Sequence, residues 1–201
     1  MTLSRLLSPP SEPASILFQK GDVGDRLDIT PPAEVAARLN RLFPFDSATE
    51  QFATLVYGIL DTVTGEFRYV SAGHPGPVHL PSGADPVILE SQGFPIGIAA
   101  DAFEERSVCL GAGDRLYLYS DGVPEAMDSA GKLYGTFRLL EAIGQARSQQ
   151  LQEGVAALLE EITRWHGSER PQDDISILTV EVAGAPGVDE RGVESLVTRP
   201  R

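Results

Sequence analysis

The nine residues from Phe52 to Leu60 read Phe-Ala-Thr-Leu-Val-Tyr-Gly-Ile-Leu, without a charge among them. A strand that is apolar on both faces needs cover on both, so this run predicts a central strand with a layer on each side. Downstream of it, short apolar runs alternate with turn residues. Asp61 to Gly65 supplies turn chemistry, Glu66 to Ser71 alternates as a returning strand, and Gly73-His74-Pro75-Gly76-Pro77 turns the chain into Val78 to Leu80. Pro81-Ser82-Gly83 turns it again, ahead of a short strand at Val87 to Leu89 and a Gly/Pro loop over residues 91 to 101. Phe103 to Leu110 interleaves charges with apolar residues, as an exposed edge does. After Gly111-Ala112-Gly113-Asp114, the strand Arg115 to Ser120 sets Leu116 and Leu118 on one face and Tyr117 and Tyr119 on the other.

Helical spacing brackets this β region. Thr30 is expected as an N-cap with Pro31 at the first helical position, and Val35, Leu39 and Leu42 then share one face until Pro44. Toward the C-terminus, Phe137 to Ile143 forms one helix, and residues 149 to 166 form another with Leu151, Val155, Leu158, Ile162 and Trp165 as its core stripe. Ile175 to Val182 is a last strand. Met1 to Leu7 reads as the tail of a helix, residues 8 to 29 as a surface loop, and Ala183 to Arg201 as a disordered tail. Antiparallel strands with helices before and after them indicate an α+β sandwich, not a doubly wound parallel sheet.

At 201 residues, with 42% hydrophobic and 22% charged, the chain can bury one sizeable core. A formal net charge of -13 excludes the basic footprint of a nucleic-acid or anionic-membrane binder. Cys109 is the single cysteine, so no intrachain disulfide forms, and a cytoplasmic location is expected. No stretch reaches membrane-spanning length, and no signal-peptide pattern opens the chain.

Two acidic sites stand at strand mouths: Ser120-Asp121-Gly122 after one strand, and Pro171-Gln172-Asp173-Asp174-Ile175-Ser176 before another. If the sheet brings these mouths together, hard oxygen ligands cluster as magnesium or manganese requires. Carboxylates on such ions can orient an activated water for in-line attack on phosphorus, which points to phosphate hydrolysis. Taken alone, Asp-Gly is also an ordinary turn, and Asp173-Asp174 a solvated strand start. His74 is expected to hydrogen-bond structurally within its Gly/Pro turn, while His79 and His166 read as surface residues. Cys109 reads as a small buried hydrophobe.

In Thr54 to Asp61, Ser71-Ala72-Gly73-His74-Pro75, Gly113-Asp114, Tyr119-Ser120-Asp121-Gly122 and Pro171 to Ser176, the chain resembles the metal-dependent PPM-type (protein phosphatase 2C-like) serine/threonine phosphatases. Within them it resembles the bacterial SpoIIE and RsbU branch. The resemblance spans residues 31 to 182 and implies a four-layer α-β-β-α sandwich of antiparallel sheets. It implies two Mn2+ or Mg2+ ions at one edge, whose bound water attacks phosphoserine or phosphothreonine directly. Asp121 and Gly122 resemble the aspartate-glycine metal motif and Asp173 the ligand on the last strand. Asp174 matches a position that supports the ligands by hydrogen bonding. Pro124 stands where the family often has Thr.

Family members also carry an upstream strand ending in glycine-aspartate-valine-serine-glycine-histidine-glycine, whose aspartate bridges the metals. Gly21-Asp22-Val23-Gly24-Asp25 matches only three letters of it, without a strand before it, and reads as a surface loop. The expectation is thus a phosphatase domain over residues 1 to 182 that begins part-way through, with one weak metal site, followed by the tail. The partner implied is a phosphorylated regulatory protein such as a sigma-factor or anti-sigma antagonist, with a sensor or receiver domain upstream in a longer form. The alternative is a catalytically silent, phosphatase-like binding module in a regulatory complex.

Overall fold

The computed structural model describes residues 7, 15–21, 27–45, 52–90, 92–98, 103–167 and 174–183. Two antiparallel sheets lie face to face, with one helix outside the first and two outside the second, in the four layers α-β-β-α. The first sheet runs β3 (Leu55–Leu60), β4 (Glu66–Ala72), β7 (Arg106–Cys109). The second runs β6 (Val87–Ile88), β5 (Val78–Leu80), β8 (Arg115–Tyr119), β9 (Ile177–Glu181). Helix α1 (Pro32–Leu42) covers the first sheet, and α2 (Gly135–Gln145) and α3 (Leu151–His166) cover the second. A small hairpin, β1 (Phe18–Lys20) with β2 (Leu27–Ile29), precedes α1.

The period-two rule accounts for the layering. On β4, Phe67 and Tyr69 point into the space between the sheets, where they stack at 5.4 Å and meet Leu110 and Leu116. Val70 and Ala72 point the other way, onto Val35, Ala36 and Leu39 of α1. On β8, Leu116 faces the partner sheet while Tyr117 and Tyr119 face Leu139, Ile143, Leu158 and Ile162 of α2 and α3. Each fully buried side chain of this size contributes about 1.5–3 kcal/mol by leaving water. Register is therefore fixed, because a slip of one residue would turn both tyrosines into the wrong layer.

Several expectations are corrected. Among the described residues Phe52 to Leu60 is not a central strand: β3 stands at the end of its sheet, and only β4 pairs along its length. All six of its residues are partly exposed. The stretch expected as a surface loop contains the β1–β2 hairpin, whose three-residue strands are too short to show alternation. Helix α1 starts one residue later than expected, with Pro31 as its N-cap. Thr30 is fully buried and accepts a hydrogen bond from Arg38 Nη1 at 3.4 Å. Leu42 remains 46% exposed despite its spacing.

Cys109 is exposed because Val108 takes the inward position on β7. His79 is buried, and its Nε2 donates to Asp114 Oδ2 at 2.9 Å. His166 is half-buried, and its Nδ1 donates to the Met127 carbonyl at 3.0 Å. The expected helix over residues 1 to 7 and the expected tail lie outside the described residues, apart from Leu7 and Ala183. No described helix is long and apolar enough to cross a membrane.

Candidate metal centre

Strands β8 and β9 pair antiparallel from Arg115↔Glu181 to Tyr119↔Ile177, so the end of one lies beside the start of the other. The pairing extends one step further through a serine clamp. The Ser120 amide donates to the Ser176 carbonyl at 3.0 Å, and the Ser120 hydroxyl donates to the Asp174 carbonyl at 2.8 Å. That same hydroxyl oxygen accepts the Ser176 amide at 2.9 Å. One side chain thus ties the backbone just before Asp121 to the backbone just after residue 173.

Beyond the clamp the chain turns sharply. Val123 donates its amide to the Ser120 carbonyl and Glu125 to the Asp121 carbonyl, each at 3.0 Å, while the Val123 side chain is fully buried and anchors the turn. Asp121 is half-buried, and its Oδ1 accepts the Gly122 amide at 3.0 Å. Pro124 fits this turn without strain, because no helix begins there. Met127 instead bridges to Leu133, the Gly135 amide bonds to the Pro124 carbonyl at 2.9 Å, and α2 starts only at Gly135.

Of the residues predicted from sequence, Asp121 and Gly122 sit on this turn, and Asp174 is an exposed residue on the opposing segment. Asp173 lies outside the described residues. Between the sheets, a cleft of about 290 Å³ reaches this edge, lined by Val56 and His74 from one side and by Leu118, Ser120, Ser176 and Leu178 from the other. His74 has the structural bonds expected of it: Nδ1 donates to the Pro75 carbonyl at 3.0 Å, and its own carbonyl accepts the Ser71 hydroxyl at 2.8 Å. It also stands in the cleft wall, and neither this place nor the clamping role of Ser120 follows from the sequence pattern. The signal for Ser120 was a hydroxyl residue at a strand end, next to an acidic turn.

The chemistry of the donors suits a hard divalent cation, since carboxylates and backbone carbonyls are what magnesium and manganese prefer. Among the described residues no group of three or more His, Cys, Asp or Glu side chains converges as a metal site would require.

The family model for stage II sporulation protein E (SpoIIE) matches residues 23–183. Protein IcfG of Synechocystis sp. is 32% identical over 93 residues, covering 46% of this chain and 15% of that protein. The RsbU and RsbW domains of a Mycobacterium tuberculosis protein superpose with a TM-score of 0.60 at 26% identity, over 74% of this chain and 40% of that one. The phosphatase domain of SpoIIE from Bacillus subtilis superposes at 0.58 and 20% identity, over 75% of this chain and 66% of that one. The chain therefore spans 15%, 40% and 66% of these relatives' own lengths. Family model and superpositions agree: this chain belongs to the stage II sporulation protein E family and has the fold of its PP2C-type phosphatase domains.

Proposed function

We propose that this chain serves bacterial signalling by metal-dependent hydrolysis of phosphoserine or phosphothreonine on a regulatory protein, with Asp121, the Gly122 carbonyl and Asp173 holding Mn2+ or Mg2+. The observation that carries this reading is the serine clamp, which brings the turn of Asp121 beside the segment that follows residue 173. When bound, the ion supplies Lewis acidity toward a phosphoryl oxygen and lowers the pKa of water. The chain's own residues supply position. Ser120 fixes the spacing of the two loops, buried Val123 holds the aspartate turn, and Asp174 orients the neighbouring ligand. The cleft between the sheets admits the phosphorylated side chain.

Two relatives support the reading. Crystals of the Bacillus subtilis SpoIIE phosphatase domain were presoaked with manganese. The Mycobacterium tuberculosis chain joins an RsbU to an RsbW domain, in keeping with a regulatory partner here. A second reading, a phosphatase-like module that binds its partner without hydrolysing it, is favoured by one observation: Gly21 to Asp25 matches only three letters of the motif whose aspartate bridges the metals in the family it resembles.

Turnover of para-nitrophenyl phosphate and of a phosphoserine peptide with Mn2+, compared with Asp121→Ala, separates the two. Manganese-dependent turnover that Asp121→Ala abolishes supports the enzyme. Equal rates for the two proteins reject it in favour of the binding module.

A further inference from the structure

A groove of about 640 Å³ lies between α2 and the turn that joins β5 to β6. Leu80, the last residue before that turn, pairs with Arg115 at the start of β8. The groove is therefore at the opposite end of this strand from Asp121 and takes no part in the candidate metal centre.

Its walls are built and held. Arg147 donates through Nη1 to the Pro81 carbonyl at 2.9 Å and through Nη2 to the Ala84 carbonyl, which fastens the turn to the end of α2. The floor is apolar. Leu139 and Ile143 of α2 are buried in the core, whereas Phe137 lies on the groove side and remains 76% exposed, beside Leu140 and Pro86. Val87 and Ile88, which follow Pro86 in β6, are 47% and 39% exposed. No demand of the fold requires an aromatic ring at position 137, and contiguous exposed apolar surface of this kind marks an interaction site.

Charge selects the occupant. Asp85 and Glu141 stand on the groove walls, and the one wall cation, Arg147, directs both terminal nitrogens at backbone carbonyls. A second copy of this chain would bring another net charge of -13 and the same two carboxylates, so self-association through the groove is opposed. We propose that the groove docks a segment of a partner protein that carries an apolar anchor flanked by lysine or arginine. The anchor covers Phe137 and Leu140, and the basic residues meet Asp85 and Glu141. This site is separate from the candidate metal centre, and it recruits a partner whether or not the chain hydrolyses phosphate.

The probes are a short synthetic peptide of alternating leucine and lysine and its leucine-glutamate counterpart. Each is titrated into the full chain while amide chemical shifts and fluorescence anisotropy are followed. The lysine peptide is expected to saturate, to shift amides of α2 and of residues 81–86, and to weaken as ionic strength rises; the glutamate peptide should not bind. Phe137→Asp and Glu141→Lys, both exposed substitutions, should each weaken the lysine peptide at least about tenfold, as loss of an interface anchor does. The proposal is overturned if the lysine peptide does not bind, if its shifts spread over the acidic surface, or if it binds both variants as tightly as the parent. It is also overturned if sedimentation shows a dimer that Phe137→Asp dissolves, since the occupant is then a second copy.

Discussion

Replacing Asp114 by alanine should be among the most damaging single substitutions, although the residue lies far from the candidate metal centre. Its Oδ1 accepts the Ser82 amide at 2.8 Å, and its Oδ2 accepts both the Gly111 amide and His79 Nε2 at 2.9 Å. Asp114 is 8% exposed and His79 9%, so the imidazole in particular has little water to turn to. A buried donor left without a partner costs about 1–3 kcal/mol. The two backbone amides lie at turns that water partly reaches, which puts their cost at the lower end, and the total comes to about 3–5 kcal/mol. Set against a typical domain stability of about 5–15 kcal/mol, that is at least about a fifth. Asp114→Asn should cost about 1–2 kcal/mol, because its single oxygen can still serve one amide and His79 can change tautomer to accept from the new NH2 group.

Burial alone would raise the Asp114 carboxyl, but the Gly111 and Ser82 amides and His79 outweigh it and hold the group below its usual range. A folded-state pKa below the unfolded one adds stability at all pH values above the unfolded pKa. That stability is lost as pH falls through the folded value, so the parent should lose stability below about pH 4 more steeply than Asp114→Ala, in which only other carboxylates such as Glu34 contribute. Urea unfolding followed by the fluorescence of Trp165, the only tryptophan, measures both effects. An Asp114→Ala stability within about 0.5 kcal/mol of the parent, with the same acid limb, would refute the reasoning.

Ser120→Ala removes the clamp at an exposed site, so stability should fall by only about 1 kcal/mol. Manganese affinity, measured by calorimetry, should fall about tenfold or more, as it does when groups that orient ligands are lost; unchanged affinity would show that the hydroxyl does not position the aspartates. Gly58→Ala places a Cβ 2.4 Å from Phe67 Cε2 and 3.1 Å from the Arg68 carbonyl. Because Phe67 is buried and stacked on Tyr69, it cannot swing aside, and the substitution should cost about 1–3 kcal/mol in urea unfolding.

Much of this architecture was readable because alternation survives in short runs. Leu116 and Leu118 against Tyr117 and Tyr119 mark both faces of β8 without any knowledge of the layers, and the stripe on α3 marks Leu158 and Ile162 as core. Features that depend on pairing across distance were not readable. The His79–Asp114 bond joins residues 35 apart, and an isolated histidine between Gly/Pro turns gives no hint that its strand lies between two layers. Cys109 misleads because its apolar character outweighs, in a sequence, the parity that points Val108 inward. Phe52 to Leu60 misleads because a fully apolar run signals burial on its faces but does not say whether both flanks have a neighbour. For the site, the aspartate turn was legible as a motif, but the clamp that spaces it from the last strand depends on the fold.

Among the described residues no strand pairs with the outer flank of β3, and this bears on how the protein behaves in a crowded solution. Leu55 to Leu60 carries none of the devices that keep sheet rims apart: no lysine, no proline, no bulge of charge. What separates two colliding molecules there is long-range repulsion between their net charges of -13, and this fades over about 8 Å at physiological salt. Association through this flank should thus depend on the ionic medium, a saltier one favouring β3 as a template for incoming extended backbone.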